Sequence, residues 1–170
     1  GNDYLGIRPY LPTIDTPDVL DIGCGPAVID FYLSWHYNHR ANINLIDGDH
    51  TATKQNKLAA YHPDHLPWKD VSRAVELLAL QGIPATAWAA NPSLTIPADI
   101  IISTLSWGHH YPVEIYLPLA LRSLRPKGLL ALHLRNVYDG RTVLEHHFEF
   151  VTTITVCSSA KSKLTIFVRK

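Results

Sequence analysis

The stretch VLDIGCGP, residues 19–26, constrains this chain more than any other part of its sequence. The apolar run at residues 19–22 has the length and composition of a buried strand, and it stops at Gly23. Gly25 follows, and Pro26 cannot continue a strand because it lacks a backbone N–H. Glycine carries no Cβ, so other groups can approach its backbone closely. The stretch therefore predicts a buried strand and a tight turn, with a small ligand lying across the turn.

Composition predicts one soluble globular domain over residues 1–170, with an irregular lead-in over residues 1–18. The 170 residues are 46% hydrophobic and 18% charged, which is ordinary for a domain of this size. Fifteen basic residues balance fifteen acidic ones, so we expect no nucleic-acid partner. No segment reaches the ~20 apolar residues of a membrane span. Cys24 and Cys157 make no disulfide framework, which favours a reducing, cytoplasmic setting.

The order of apolar runs predicts an α/β fold. Strands are expected at residues 19–22, 43–47, 85–90, 99–105 and 128–134, and β-branched runs at 148–156 and 163–170 predict a closing antiparallel hairpin. Helices are expected at residues 27–37, 71–80, 111–126 and 142–147. Continuous apolar strands alternating with helices are typical of a mostly parallel sheet covered on both faces, which gives a three-layer α/β/α sandwich.

Two of the predicted helices carry further expectations. Val28, Phe31, Tyr32 and Trp35 stand at helical spacing, so we expect them to form the apolar face of the first helix. Pro118 lies deep inside the helix after the fourth strand, and we expect it to kink or restart that helix.

The turn predicts a ligand with a cationic end. A dinucleotide fingerprint needs a third small residue where Val28 stands, and Pro26 removes one amide donor from a phosphate cradle. Asp21 would repel a pyrophosphate but accept a hydrogen bond from an ammonium group. Asp47 ends the second strand 22 residues after Gly25, near the ~20 expected for an acid that binds ribose hydroxyls.

These residues resemble the class I S-adenosylmethionine-dependent methyltransferases. The resemblance rests on VLDIGCGP, the acid Asp47, the fourth strand DIIISTLSW, the segment LRPKGLLAL and the closing hairpin. It implies a Rossmann-like fold, S-adenosylmethionine as cofactor and S-adenosylhomocysteine as product. It also implies the methionine part at Asp21, Gly23, Cys24 and Gly25, the ribose at Asp47 and Gly48, the adenine edge at Ala89 or Ala90, and the pocket lip at Ser103. AANP departs from the family pattern and leaves adenine to backbone groups or Asn91.

The segment SWGHHYP, residues 106–112, predicts the acceptor side of the site. It resembles a subset of sugar or small-molecule O-methyltransferases, which implies a small-molecule acceptor with a hydroxyl oxygen. Imidazole is a suitable base at neutral pH, so His110 is the first candidate base and His109 the second. Trp107 and Tyr111 are expected to wall the pocket or face the sulfonium. The alternative is that these aromatic residues pack between helix and sheet and that the histidines are exposed.

His133 and Arg135 alternate at the end of the fifth strand and are expected to point to the same side of the crevice. They are candidates to anchor an anionic substrate, and the alternative is that Arg135 is a surface charge. The short lead-in offers little material for a substrate lid, so we expect a lid either in a segment trimmed from this sequence or from a homodimer or another partner chain.

No metal site is predicted, although the chain has ten histidines. The best local candidate, HPDH at residues 62–65, contains a proline and has no second matched ligand pair. Three other functions remain open: an RNA or protein methyltransferase with the same cofactor site, an inactive methyltransferase-like scaffold, and a nicotinamide-dependent dehydrogenase. Val28 and the closing hairpin argue against the last.

Overall fold

The computed structural model describes residues 2–47, 71–135, 139–155 and 162–170. Its helices are α1 (Asn2–Ile7), α2 (Val28–His36), α3 (Val71–Ala79), α4 (Val113–Ser123) and α5 (Gly140–Glu145), with a 3₁₀ turn at Arg8–Tyr10. Its strands are β1 (Asp18–Ile22), β2 (Asn42–Asp47), β3 (Ala85–Ala89), β4 (Ala98–Ser103), β5 (Leu124–Arg135), β6 (Phe148–Ile154) and β7 (Ser162–Arg169). Within the described ranges, no helix is long and apolar enough to cross a membrane.

The seven strands of the described residues belong to one sheet, in the order β3-β2-β1-β4-β5-β7-β6. The first five run parallel, and β7 pairs antiparallel with both β5 and β6. Strand β1 is central, since Leu20 lies opposite Asn44 of β2 and Ile101 of β4. The predicted parallel sheet with a closing antiparallel hairpin is confirmed.

Apolar side chains from alternate strand positions fill two separate cores, one on each face of the sheet. Val19 and Ile100 point to the face covered by α1, α2 and α3, where Leu33 and Leu78 pack on them. The next residues in each strand point to the opposite face, covered by α4 and α5; this core includes Leu20, Ile101, Leu130, Leu119 and Leu144. A strand buried on both faces must be apolar at consecutive positions, which accounts for runs such as DIIIS.

The predicted irregular lead-in is partly wrong, because residues 2–10 are helical. Ile7 is fully buried in the core beneath α2 and α3. Tyr4 stacks on Tyr32 with ring centroids 5.4 Å apart, and its hydroxyl hydrogen-bonds Nδ1 of His36 at 3.1 Å. The N-terminal segment is therefore packed on α2.

The predicted apolar face of α2 is also wrong. Val28 and Trp35 are 56% and 64% exposed, whereas Ile29, Asp30 and Leu33 are buried. The aromatic residues do lie together, but on the outer side of the helix, where Phe31 packs edge-to-face on Tyr32. Two sets of residues in α2 have helical spacing, the aromatic set and the set that contains Ile29 and Leu33. The second set, with smaller side chains, is the one that packs on β1 and β2.

Around β5 the boundaries differ from expectation. Helix α4 passes through Pro118 and ends at Ser123 without restarting. Strand β5 begins at Leu124 instead of residue 128, and its pairing with β4 shifts register between Ala98 and Ile100.

The connection from β3 to β4 is a short segment that Arg122 holds by donating hydrogen bonds to Pro92 O at 2.7 Å and Leu94 O at 3.0 Å.

Candidate functional site

The turn after β1 folds directly onto the end of β2. Ile22 and Ile46 are register partners, and the carbonyl oxygen of Ile46 accepts the N–H groups of Gly23 at 2.7 Å and Cys24 at 3.3 Å. Gly23 and Gly25 have φ of 72° and 52°, a region in which a side chain would be strained. The two glycines thus allow the chain to reverse within hydrogen-bonding distance of the neighbouring strand.

Asp47 organises this turn. The backbone N–H of Gly25 donates to Oδ2 of Asp47 at 2.8 Å, and the Cys24 thiol lies 4.0 Å from the same oxygen. Asp47 is 9% exposed, so its carboxylate is mostly enclosed yet reaches the surface. A charge-assisted hydrogen bond of this kind is stronger than a neutral one, and it fixes the carboxylate against the glycine turn.

The candidate adenine-edge residues lie beside Asp47. Ala89 is its register partner on β3, and Ala90 donates its N–H to the Asp47 carbonyl at 2.9 Å. Asn91 is exposed, and its side-chain oxygen accepts the N–H of Ser93 at 2.9 Å in a local turn. The predicted ribose and adenine positions are therefore contiguous, and Gly48, also predicted here, lies outside the described residues.

Asp21 is fully buried beside a second acid that the sequence analysis did not single out, Asp30 of α2. Among the described residues outside the pair, no N–H or hydroxyl donates to any of their four carboxyl oxygens. Burial, and then the charge and hydrogen bonding of Asp30, raise the pKa of Asp21 well above its usual value, with a smaller contribution from Asp47. Burial raises the pKa of Asp30 to about 7. The sequence signal for Asp30 was an acid at the third position of the helix that follows the glycine turn, nine residues after Asp21.

Cys24 is surrounded by these acids. Its thiol is buried, and burial followed by the charges of Asp21, Asp47 and Asp30 raises its pKa far above the usual range. The thiolate is the reactive form of cysteine. This environment therefore disfavours Cys24 as a nucleophile and is consistent with a small residue within the turn.

The loop between β4 and α4 covers one side of the turn. A Cβ placed on Gly23 would overlap Oγ and Cβ of Ser106, so this glycine makes room for a residue of the protein itself. Ser103, the predicted pocket lip, is fully buried; it donates to Ile22 O at 2.7 Å and accepts the N–H of Trp107 at 2.9 Å. Ser103 thus ties the loop to the end of β1.

The two aromatic residues of this loop have different environments. Trp107 is fully buried, donates Nε1–H to Val113 O at 2.8 Å and packs edge-to-face on Tyr116. It therefore packs between helix and sheet, the alternative that the sequence left open. Tyr111 is half-buried, and burial followed by the charge of Asp47 raises its pKa. The Tyr111 side chain is therefore less enclosed than that of Trp107.

His109 and His110 follow the same turn of this loop. Both residues are half-buried, and their ring centroids are 4.6 Å apart in an edge-to-face contact. The backbone N–H groups of His109 and His110 donate to Ser106 O at 3.0 and 2.7 Å. Since Ser106 packs on Gly23, these two backbone hydrogen bonds attach the histidine segment to the residue that covers the glycine turn.

His133 and Arg135 differ in their surroundings although they alternate on β5. His133 is buried, with Nε2 2.9 Å from Oδ1 of Asp3 and Nδ1 3.3 Å from Oγ of Ser162. It therefore connects α1 to the sheet. Arg135 is half-buried, and its backbone N–H donates to Gly108 O at 3.0 Å, which joins the histidine loop to β5.

The described residues contain no group of three or more His, Cys, Asp or Glu side chains placed to hold a metal ion. HPDH, at residues 62–65, lies outside the described ranges. The absence of a metal site therefore stays a prediction from the sequence.

Comparison with known proteins identifies the fold. No protein-family model and no curated protein sequence matches the chain. Among solved structures, a SAM dependent methyltransferase from Aquifex aeolicus matches with a TM-score of 0.71 at 13% identity, over 99% of this chain and 89% of that one. The N-methyltransferase NodS from Bradyrhizobium japonicum WM9, solved in complex with S-adenosyl-l-homocysteine, matches with a TM-score of 0.62 at 13% identity. The match covers 90% of this chain and 78% of NodS. The [4+2]-cyclase SpnF matches with a TM-score of 0.69 at 13% identity, over 98% of this chain and 80% of SpnF. The chain therefore has the Rossmann-like methyltransferase fold, which also occurs in a protein described as a cyclase.

Proposed function

We propose that this protein binds S-adenosylmethionine across the turn between β1 and α2 and transfers its methyl group to a small-molecule hydroxyl. The observation that carries the proposal is the bond from Gly25 N–H to Asp47 Oδ2, because it places the second acid against the glycine turn. Ligands of parallel α/β sheets bind at the carboxyl ends of the strands. Both Asp21 and Asp47 stand at that edge, near the ends of adjacent strands.

The residues present fit such a cofactor. The buried oxygens of Asp21 have no donor among the described residues, and burying a carboxylate without a partner is costly. An ammonium group would supply that partner. Asp47, partly exposed, is the candidate for the ribose hydroxyls, with Ala89 and Ala90 beside it for the adenine edge. Since Ser106 covers Gly23, Gly25 and Cys24 supply the backbone that faces the ligand.

The loop after β4 is the proposed acceptor side. When bound, the cofactor would supply an electrophilic methyl group to an acceptor oxygen, with S-adenosylhomocysteine as the other product. His110 takes the proton from the acceptor hydroxyl, and His109 is the second candidate for this role. Tyr111, the half-buried aromatic residue of this loop, borders the acceptor. Arg135 orients an anionic acceptor, whereas His133 holds α1 in place. Most of the rate enhancement then comes from positioning.

Calorimetric titration with S-adenosylhomocysteine, and with NAD in parallel, tests the cofactor assignment. We expect binding of the nucleoside thioether and none of NAD. Transfer of a labelled methyl group from S-adenosylmethionine to a panel of hydroxylated small molecules tests the reaction, with His110→Ala expected to retain binding and lose most turnover. Binding of NAD alone would overturn the cofactor assignment. Methyl transfer to RNA or protein would contradict the proposed small-molecule acceptor and support the alternative of a macromolecular substrate.

A scaffold without catalytic activity is the other alternative that this experiment separates. It would show no transfer in the native protein, and His110→Ala would then change nothing that can be measured. A loss of transfer in His110→Ala with unchanged affinity for S-adenosylhomocysteine would instead support the enzyme. His147→Ala is the matched control, because His147 is an exposed histidine outside the loop.

A further inference from the structure

Asp30, the buried acid beside Asp21, has no role among those assigned so far. Asp21 lies on β1 and Asp30 in the first turn of α2, on opposite sides of the glycine turn in sequence. Both side chains are fully buried, and this burial, followed by the charge and hydrogen bonding of Asp30, raises the pKa of Asp21. None of the four oxygens has a donor from another described residue. Two unpartnered acids of this kind require either a proton or a cation.

The groups that face the pair are themselves acidic or neutral. Asp47 acts on Asp21 from β2, and the Cys24 thiol of the turn is near all three carboxyls. Within the described part of the chain, no Lys, Arg or His is among the groups that act on either carboxyl. Like charges in a poorly hydrated site cannot both ionise at low cost. The empty pair therefore retains a proton near neutral pH.

We propose that Asp30 is a further positioning residue of the cofactor site, which shares a proton with Asp21 until the ammonium group of the ligand enters and displaces that proton to solvent. This inference rests on the proposed function. It adds that recognition of the ammonium end requires two carboxyls instead of one. It also makes ligand binding release a proton that the carboxyl pair held.

The sign of the linkage follows from the two states. The free pair holds the proton, whereas the pair bound to an ammonium group is stabilised in its ionised form. Binding therefore becomes tighter as pH rises, by at most about tenfold per pH unit while the proton is still held in the free protein. Between pH 6 and pH 8 we expect the affinity for S-adenosylhomocysteine to rise about tenfold.

The native protein provides the decisive measurement. S-adenosylhomocysteine is titrated calorimetrically at pH 7 in phosphate and in Tris, whose ionisation enthalpies differ, so that the difference in observed heat counts protons released. Because a pair whose pKa is about 7 is half-protonated at pH 7, we expect about half a proton released per ligand bound. 5′-Deoxy-5′-methylthioadenosine has the same nucleoside and thioether but no ammonium group, and we expect it to bind without proton release.

Variants assign the proton to the pair. Asp30→Asn should reduce proton release and the pH dependence of the affinity, because the pKa of Asp21 is then raised by burial but no longer by the charge of Asp30. Glu114→Gln, an exposed acid in the first turn of α4, should behave like the native protein. If Asp30→Asn does not fold, proton release by the native protein on binding S-adenosylhomocysteine, compared with release on binding 5′-deoxy-5′-methylthioadenosine, still tests the inference.

The outcomes are distinct. Binding of S-adenosylhomocysteine with no proton release, or equal release with 5′-deoxy-5′-methylthioadenosine, overturns this inference and leaves the proposed function intact. Undiminished release in Asp30→Asn also overturns it. Failure of S-adenosylhomocysteine to bind at all overturns both proposals.

Discussion

Gly25 donates its backbone N–H to Oδ2 of Asp47 at 2.8 Å, so the turn after the first strand and the acid that ends the second are one structural unit. The two residues are 22 positions apart and meet because β1 and β2 are parallel neighbours. The carboxylate is already oriented before any ligand arrives. Such preorganisation reduces the free energy that binding would spend on ordering the site.

Replacing this carboxylate should weaken cofactor binding. Asp47→Asn retains the size of the side chain but removes its charge, and we expect the affinity for S-adenosylhomocysteine to fall by about 10- to 100-fold, since hydrogen bonds to charged groups contribute about 1.5–3 kcal/mol. Calorimetric titration measures the loss. Glu149→Gln, an exposed acid on β6, is the control, and equal affinities in the two variants would argue against a role for Asp47.

Two glycines with nearly the same backbone angle separate strain from overlap. Gly23 and Gly82 have φ of 72° and 71°, but a Cβ on Gly23 would overlap Ser106, whereas one on Gly82 would have nothing within 4 Å. Gly82→Ala should lower the free energy of unfolding by about 1 kcal/mol through backbone strain alone. Gly23→Ala should cost about 1–3 kcal/mol more.

Urea denaturation of both glycine variants gives the difference directly. A double variant that adds Ser106→Gly to Gly23→Ala should recover part of the extra loss, because it removes the overlapping side chain. If the two single variants were equally stable, Ser106 would not pack on Gly23 as described.

The buried contact between Asp3 and His133 should anchor α1. His133→Ala removes the partner of Asp3 Oδ1 and of Ser162 Oγ, so we expect a loss of about 1–3 kcal/mol in the free energy of unfolding. Amide hydrogen exchange within α1 should also accelerate. His147→Ala, at an exposed position, should change neither quantity. Unchanged protection of α1 in His133→Ala would show that Ile7 and Tyr4 alone hold the helix.

The acid pair should also make the stability of the ligand-free protein depend on pH. The folded-state pKa values of Asp21 and Asp30 are raised, to about 7 for Asp30, so the folded state binds more protons than the unfolded state above the unfolded value. Their contribution is fully present below pH ~4 and is lost as pH rises through about 7.

Urea denaturation between pH 5 and pH 8 measures this dependence. For each proton held only by the folded state, stability falls by at most about 1.4 kcal/mol per pH unit. Asp30→Asn should flatten the slope, because Asp21 then has an amide donor in place of a competing acid. An unchanged slope in Asp30→Asn would assign the pH dependence to other groups.

The local sequence determined the strands, the glycine turn and the placement of Asp21 and Asp47 at one edge of the sheet. Runs such as DIIIS report burial on both faces, and Gly23 and Pro26 end a strand by their own stereochemistry. These signals depend on neighbours along the chain, so they can be read without knowing how the elements pack.

Only the tertiary structure decided which face of α2 is buried, that Ser106 lies on Gly23, that His133 bonds Asp3, and that Asp30 faces Asp21. Two stripes of α2 have helical spacing, and packing on β1 and β2 selects Ile29 and Leu33 over the larger aromatic stripe. The other contacts join residues from separate elements. Their formation depends on strand order, register and the crossing of helices, which periodicity along the sequence does not encode.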